Sequence, residues 1–450
     1  GSRRFRLRFS WSSERRSSRP PLAGQDAMGG GAGKQQGDAR YQVKTIQVQE
    51  AWATEIKKAD RPSMWGHWDL PKTGEILVMT ADVGGTSSRI HVFMAPAEHE
   101  LSLPPADLVS KDRILHTRKY RNASFDSFMD IVKTFMKEVN LKTPPVLACL
   151  GVAGVVVDNS VKFVNLGWTV VGSELQKTLG IARVTLINDF EAQGYGLLTL
   201  DNAKDCDVLQ EVEPVKGAPC ALVGAGTGLG EAFLTTSENG DYDVWPSEGG
   251  HAEFAPRQDG NHALEFEMLQ YLQIKYSARS RVSVERVVSG KGIANIYEFL
   301  AWRFPEKKNP AVHKRFLSNG FDPAVVVEAA GSGECDLCGQ AIDMFVGAYG
   351  SESGVVALKY MPFGGLYLTG GVTAKTKDFI LGRKGNVGHF MDAFCDKGRV
   401  THMLHKIPVF LVREEDLGER GVRYKACRLW EEMQKIRRPS KGHMSDCPDF

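Results

Sequence analysis

Three short hydrophobic runs of this sequence each end in a glycine-rich turn, and this recurrence limits the possible folds more than any other feature. The turns lie in ADVGGTSSR at 81–89, VGAGTGLG at 223–230 and LYLTGGVTAK at 366–375. Apolar runs of this length predict buried strands, and glycine lets backbone N–H groups approach a ligand closely. One such turn is a weak signal, whereas three predict a site built at the ends of several strands.

From residue 75 onward, short β-branched runs alternate with longer helical stretches, which predicts mixed α/β layers. The chain has 450 residues, of which 42% are hydrophobic, and this is enough for two packed domains. No repeat of fixed period is present, so solenoids and propellers are disfavoured. Strands are expected at 76–81, 89–94, 146–151, 183–188, 220–224 and 366–369, and helices at 125–138, 262–276, 290–303 and 336–360.

Composition shifts divide the chain into segments. The first 25 residues hold seven arginines and one acidic residue, which predicts disorder and also suits a transit peptide or an expression scar. Val48, Trp52 and Ile56 recur at helical spacing and predict a docked helix. The expected segments are a disordered extension at 1–44, a helical appendage at 45–74, a small α/β domain at 75–199 completed by about 412–432, a large α/β domain at 200–411 and a flexible tail at 433–450.

Charge and hydropathy exclude several classes of partner. The 56 basic and 54 acidic residues leave a formal net charge of +2, so neither nucleic acid nor a membrane surface is indicated. The longest apolar stretch, 146–157, is too short to span a bilayer. The eight cysteines are scattered, which favours a reducing compartment and a cytoplasmic location, with an organelle as the alternative. Cys335 and Cys338 lack a second half-site for zinc, and we interpret them as thiols near the start of an amphipathic helix.

The glycine turns have the composition of a phosphate site. In the first turn Gly84 and Gly85 expose backbone N–H groups, Thr86 adds a hydroxyl donor, and Asp82 is a candidate to hold Mg²⁺ through water. An ordinary tight turn explains the first motif equally well. The second and third turns supply a further phosphate clamp and a flat surface for a purine, through Gly224, Gly226, Thr227 and Gly228 and through Gly370 and Gly371.

Polar residues between these turns suit a polyhydroxylated substrate. In VTLINDFEAQGYG at 184–196 a strand delivers Asn188 as a hydroxyl ligand and Asp189 as a proton acceptor, although Asp189 could also simply cap the following helix. Glu248 and His251 flank a glycine pair and suit vicinal hydroxyls; a structural histidine or a metal ligand is the alternative. Local sequence alone favours Glu285 as an ordinary surface charge.

DVGGT, LINDFEAQGYG, GAGTGLG, SEGGH, VSVERVVSGKG and LTGGV, in this order, resemble the bacterial-type glucokinase family of the hexokinase, actin and Hsp70-like ATPase superfamily. The resemblance covers roughly 75–427. It implies two ribonuclease-H-like α/β domains flanking a cleft, and transfer of phosphate from ATP to the 6-hydroxyl of glucose with Mg²⁺. Asp189 then resembles the catalytic base, and the loop from Asp82 through Val83 to Thr86 resembles the ATP-binding loop. The implied sugar ligands are Asn188, Asp189, Glu248, His251, Glu285 and, more weakly, Asn165 in VNLGW.

The chain also departs from the family pattern. Ala81 stands where the family commonly has Gly, and Ser87 where it has Asn or Asp. Val155 replaces a Pro that is often found there. The insertion around 256–280 and the terminal appendages are similar to those of eukaryotic microbial members. Whether the protein forms a homodimer is left open by the sequence. The competing functions are a kinase for mannose, fructose or glucosamine, and a non-catalytic sugar sensor or chaperone-like ATPase.

Overall fold

The computed structural model describes residues 76–141, 143–163, 166–257, 263–277, 281–384 and 389–437. Several sequence predictions lie outside these residues: the extension at 1–44, the appendage at 45–74, Asn165, parts of the 256–280 insertion and the end of the tail. The strands are β1 Leu77–Val83, β2 Ser87–Met94, β3 Ile114–Arg121, β4 Leu147–Val152, β5 Val156–Val157, β6 Ser160–Lys162, β7 Thr169–Val171, β8 Arg183–Asn188, β9 Cys206–Gln210, β10 Cys220–Ala225, β11 Leu229–Thr236, β12 Tyr242–Ser247, β13 Gly365–Thr369 and β14 Val409–Val412.

Two sheets repeat one topology. The first has the order β3-β2-β1-β4-β8, with three antiparallel strands followed by two that run parallel to β1. The second has the order β12-β11-β10-β13-β14-β9, in which β10 to β14 follow the same pattern and β9 adds an antiparallel edge. A small antiparallel sheet joins β5, β6 and β7. The repeat places the β1–β2 and β10–β11 turns at equivalent positions.

Helices connect and cover these sheets. They are α1 Pro105–Leu108, α2 Phe128–Val139, α3 Gly172–Leu179, α4 Asp189–Leu197, α5 Asn202–Asp205, α6 Leu264–Lys275, α7 Gly290–Arg303, α8 Pro310–Ser318, α9 Pro323–Ser332, α10 Asp336–Tyr360, α11 Gly371–Ile380, α12 His389–Cys395, α13 Thr401–Leu404 and α14 Leu417–Arg437. Side-chain caps explain several helix starts: Ser127 accepts from the backbone N–H of Asp130 at 3.2 Å, and Asp322 caps α9 directly before Pro323.

Three hydrophobic clusters hold these layers together. One joins α2 and α3 to a face of the first sheet through residues such as Phe135 and Leu150. Another surrounds α7 and α10 beside the second sheet. The third combines residues of both sheets with α4 and α14, including Ile187, Leu222 and Trp430, so α4 lies where the packing of the two sheets meets.

The predicted strands and helices are all present, within about three residues of their expected ends. The amphipathic interpretation of 336–360 was wrong, because α10 is buried on all sides over 345–350, where it packs among other helices of the second sheet. Cys335 and Cys338 are free, buried thiols at the start of this helix. Helix α14 continues to Arg437, past the expected start of the tail, and Met433 packs into the core. In the described residues, no helix is long and apolar enough to cross a membrane.

Candidate active site

The first glycine turn closes the β1–β2 hairpin. The backbone N–H of Gly84 donates to the Ser87 carbonyl at 3.0 Å. Asn122, which is fully buried, fixes the turn from β3: its Nδ2 donates to the Gly84 carbonyl at 2.8 Å, and its backbone N–H donates to the Thr86 carbonyl at 2.9 Å. Thr86 itself is exposed. The turn is therefore held from one side, and its other side is open to a ligand.

Val83 has a different role from that of the turn that follows it. Its side chain is fully buried in the core, and its carbonyl accepts from the Ala153 backbone N–H at 2.9 Å. In this structure Val83 therefore anchors β1 beside β4, and the residues that face outward begin with Gly84.

Asp82 lies at the end of β1, next to this turn. Burial raises the pKa of the Asp82 carboxyl to about 6, and the nearby Glu419 raises it further against the opposing effects of Arg89 and His91. Glu419 is itself paired with Arg89, and its Oε2 lies 2.9 Å from His91 Nε2. A cavity of about 420 Å³ opens beside Asp82 and is lined also by Ser87, Arg89 and Lys119. A partly desolvated carboxylate at such a cavity suits a bound cation.

Asn188 and Asp189 lie where β8 ends and α4 begins. Asn188, and not Asp189, caps the helix: its Oδ1 accepts from the backbone N–H groups of Phe190 at 2.8 Å and Glu191 at 3.3 Å. Its Nδ2 donates to the Gly154 carbonyl at 3.0 Å. The asparagine amide thus keeps one N–H for a ligand, while the neighbouring Asp189 is the first residue of α4 and shares only the Phe190 N–H with the cap.

The Asp189 carboxyl combines burial with two acidic neighbours. Burial raises its pKa to about 6, and the charges of Asp82 and Glu248 add to this, against a hydrogen bond from the Phe190 N–H at 3.0 Å. Asp82 belongs to the first sheet, whereas Glu248 follows β12 of the second sheet. The Asp189 carboxyl therefore has a pKa raised toward neutrality, and it lies within the electrostatic reach of both Asp82 beside the first glycine turn and Glu248.

Phe190 connects this carboxylate to the second glycine turn. Gly224 of β10 and Gly230 of β11 face each other across the strand pair. A Cβ at Gly230 would overlap the Phe190 ring, and a Cβ at Gly224 would lie 2.7 Å from it. The ring therefore occupies the space that two side chains would fill, and it brings α4 against the start of the second turn.

The second and third glycine turns meet each other. The Gly226 carbonyl accepts from the Gly290 N–H at 2.9 Å at the first residue of α7, and Thr227 is exposed at the tip of the turn. Gly370 has a φ of +97° and lies so close to Ala225 that a Cβ would overlap its carbonyl. The first turns of α7 and α11 thus converge on 225–228, and helix N-termini present free N–H groups that favour anions.

The glycines of these turns fall into two groups. Gly224, Gly228 and Gly370 are required by packing, since a Cβ would overlap other protein atoms. By contrast, no atom lies within 4 Å of a Cβ built on Gly85 or Gly371, and the nearest to Gly226 is 3.9 Å away. All three of these open glycines also have φ values outside the left-handed region. Nothing in the described protein requires glycine at these three positions, as expected where a ligand approaches the backbone.

Glu248 and His251 lie on a short 3-10 turn after β12. Their side chains are exposed, with His251 Nε2 3.5 Å from Glu248 Oε2, and the intervening Gly250 packs against the Leu229 carbonyl. The following residues pair with the segment that carries Glu285, because the Val284 N–H donates to the Ala252 carbonyl at 2.8 Å. The structure therefore brings Glu248, His251 and Glu285 onto adjacent segments.

Local sequence alone suggested that Glu285 is an ordinary surface charge, but in the structure its carboxylate contacts the second glycine turn. Its Oε2 accepts from the Leu229 backbone N–H at 3.3 Å, and a Cβ at Gly228 would overlap its carboxylate. It therefore connects the second glycine turn to the Glu248 segment. Residues that sequence reasoning missed include Asn122, Phe190 and Gly230; only the last two lie within recognised motifs, and no periodicity marks them.

Comparison with known proteins agrees with this geometry. A family profile described as Glucokinase matches residues 79–428. The glucokinase of Nostoc sp. PCC 7120 is 37% identical over 363 residues, covering 78% of this chain and 99% of the relative. A solved glucokinase from an Antarctic psychrotroph is 27% identical with a TM-score of 0.62, covering 78% and 99% of the two chains.

A Balamuthia mandrillaris glucokinase solved with glucose is 20% identical with a TM-score of 0.63, covering 84% of this chain and 98% of its own, and shows the shared fold alone. These likenesses confirm the expected actin- and hexokinase-like α/β architecture. With its profile match across most of the sequence and its close curated relatives, the chain belongs to the glucokinase family.

Proposed function

We propose that this protein is a glucokinase that transfers the γ-phosphoryl group of ATP to the 6-hydroxyl of glucose, with Asp189 as the general base. The observation that carries the proposal is the position of the Asp189 carboxylate. It is half-buried, its pKa is raised to about 6, and the charges of Asp82 and Glu248 act on it. Such a group is mostly ionised at neutral pH and accepts a proton readily as the attacking hydroxyl loses it.

For glucose, the proposed ligands are Asn188, Glu248, His251 and Glu285. Exposed Glu248 and His251 offer an acceptor and a donor-acceptor 3.5 Å apart, so both side chains can serve neighbouring hydroxyls of one sugar. The remaining N–H of Asn188 is held beside Asp189 by the helix cap. Asn165 stays a prediction from the family resemblance.

For ATP, we propose that the open glycines Gly85, Gly226 and Gly371 accept the nucleotide, with the hydroxyls of Thr86 and Thr227 as further donors. Gly84 lies beside them, and the N–H groups of Gly84 and Gly226 are bonded to the Ser87 and Gly228 carbonyls, so these two glycines offer close approach rather than a free donor. Backbone N–H groups without a Cβ beside them can contact phosphate oxygens or a purine face directly. Gly224, Gly228 and Gly370 act indirectly, because they allow the turns to adopt their shapes. Each turn thus combines glycines that touch the ligand with glycines that shape the protein.

Mg²⁺ fits the same site through Asp82. In the described residues no three His, Cys, Asp or Glu side chains form a metal cluster, but Mg²⁺ commonly uses one carboxylate together with phosphates and waters. Bound there, the ion would neutralise charge on the transferring phosphates. A cation there would offset the desolvation and the Glu419 charge that disfavour the ionised form of Asp82.

We propose further that the two sheets are the cores of two domains, 75–199 with about 412–432 and 200–411, which close on the sugar. Closure would exclude water, which otherwise competes with the 6-hydroxyl for the phosphoryl group. X-ray scattering with and without glucose tests this, and superimposable profiles would rule out closure of any size. Cytoplasmic location, a role in glycolysis and homodimer formation remain predictions of the same account.

The substrate is tested by ATP-dependent ADP release across glucose, mannose, fructose and glucosamine. Strong turnover with glucose alone supports the proposal. Turnover with another hexose alone would reassign the sugar, and ATP hydrolysis without any sugar dependence would favour a sensor or chaperone-like ATPase. Specificity between epimers is worth only a few kcal/mol, so the panel is measured as ratios of kcat/KM.

A further inference from the structure

A pair of buried carboxyl groups lies directly behind the turn that carries Glu248 and His251. Glu231 of β11 is 1% exposed, and Glu352 of α10 is 8% exposed. Each carboxyl group acts electrostatically on the other, and in each group Oε1 is buried without a hydrogen-bond partner in the described protein. Two ionised carboxylates cannot be neighbours at this depth without strong repulsion, whereas one proton between them makes the pair a donor and an acceptor.

The contact with the turn is made through Gly249. A Cβ built on Gly249 would overlap the Glu231 carboxyl, and its three nearest atoms all belong to that group. The register of the sheet fixes this contact, because Glu231 pairs with Ser247, which lies two residues before Gly249. Ser247 Oγ also accepts a hydrogen bond from the Gly249 N–H at 3.0 Å. A movement of the Glu231 carboxyl would therefore displace the segment between Glu248 and His251.

We propose that Glu231 and Glu352 share one proton, and that this protonated pair holds the 249–251 turn in the position in which Glu248 and His251 bind sugar. Both are positioning residues, since neither reaches the substrate. The proposal rests on the assignment of Glu248 and His251 as glucose ligands. Loss of the proton places two negative charges behind the turn and pushes Glu231 toward Gly249.

The surroundings determine where the proton resides. Burial raises the pKa of Glu231 to about 7, with the Glu352 charge adding to the effect and Lys359 opposing it. Burial also raises the pKa of Glu352, against the cations Lys359 and Lys397. The other titratable neighbour is Tyr349 of α10, whose hydroxyl is engaged with the Val223 carbonyl and Thr373. Glu231 therefore carries the proton and Glu352 accepts.

The test is the pH dependence of glucose KM in Glu231→Gln, in which the amide donates to Glu352 at every pH. We expect the wild-type KM to rise about threefold to tenfold between about pH 6.5 and about pH 8.5, and the variant to change less than about twofold. Glu238→Gln, at an exposed position of the next turn, is the matched control and should follow the wild type. Parallel rises in wild type and Glu231→Gln, or a flat wild-type profile, would overturn the proposal.

A second pair of variants tests the contact itself. Gly249→Ala should raise glucose KM about tenfold or more, because the new methyl group meets the Glu231 carboxyl. Shortening that side chain in Gly249→Ala/Glu231→Asp should recover most of the loss, and absence of recovery would contradict the proposed contact. A wild type that fails to phosphorylate glucose would instead refute the proposed function. In that case the unfolding midpoint still tests the shared proton, because the wild type should lose stability as the pH rises from about 4.5 to about 7 and Glu231→Gln should lack that loss.

Discussion

The Phe190 ring lies against the Cα of Gly230, in the space that a side chain at residue 230 would occupy. Phe190 directly follows Asp189, and Gly230 directly follows the second glycine turn. This one contact therefore relates the position of the proposed base to the position of the proposed nucleotide loop. Because Gly224 supports the same ring from the neighbouring strand, the relationship is defined from two sides.

Gly230→Ala should lower kcat by about a hundredfold, since a displaced ring shifts Asp189 relative to the phosphates. Stability should fall by about 1–3 kcal/mol from overpacking. Steady-state kinetics and urea unfolding measure the two effects. Gly339→Ala, where a Cβ would meet no atom within 4 Å, is the control: it should leave kcat unchanged and, because residue 339 lies inside α10, should raise stability by up to about 1 kcal/mol rather than lower it. Wild-type kcat in Gly230→Ala would show that the contact does not position the base.

Gly85→Ala should separate folding from nucleotide binding. No protein atom lies within 4 Å of the added methyl group, so the thermal midpoint should remain that of the wild type. The KM for ATP should rise about tenfold if phosphate oxygens approach the backbone there. An unchanged KM for ATP would remove the first glycine turn from the proposed nucleotide site.

The pH profile should reflect the Asp189 carboxyl. A general base acts in its ionised form, so kcat at saturating glucose should fall about tenfold per pH unit below about pH 6 and level off above it. Initial rates across buffers of constant ionic strength provide the measurement. A rate that stays level down to about pH 4.5 would mean that no group of raised pKa acts as the base.

Asp189→Asn and Asp82→Asn should each stabilise the protein at neutral pH. Both carboxyl groups have folded-state pKa values near 6, raised from 3.8, so folding disfavours their charged forms. The two carboxyl groups therefore contribute to the free energy of unfolding in full below about pH 4, and this contribution is lost as the pH rises through about 6. Each substitution should therefore add up to about 3 kcal/mol at pH 7 and almost nothing at pH 4. Urea unfolding between about pH 4 and about pH 7 measures this difference in the free energy of unfolding. A variant less stable than the wild type at pH 7 would contradict the predicted direction of the change.

The sequence predicted the parts of the site that depend on strand ends. The strand at 183–188 buries Val184, Leu186 and Ile187, so its end and the polar residues that follow were visible in the pattern. Strand β3 has mostly exposed or half-buried side chains at the sheet edge, and its sequence shows little apolar alternation. Asn122, which directly follows β3, was correspondingly missed.

Contacts between distant segments could not be predicted. The hydrogen bond from the Leu229 N–H to Glu285 joins residues 56 positions apart, and Asn188 proved to be the helix cap that had been considered for Asp189. Such contacts depend on how the two sheets and α4 pack, which no local pattern encodes. The resemblance of the 256–280 insertion to eukaryotic microbial members stays a prediction.

The central claim is that Asp189 accepts the proton of the glucose 6-hydroxyl, and Asp189→Asn tests it most directly. Asn keeps the hydrogen bond from the Phe190 N–H and the shape of the site, but it cannot take up a proton. Glucose affinity by calorimetry and ADP release by a coupled assay should be measured on the same preparation. The account predicts glucose binding within about threefold of the wild type and turnover reduced about 10²- to 10⁴-fold. Near-normal turnover in Asp189→Asn would contradict it.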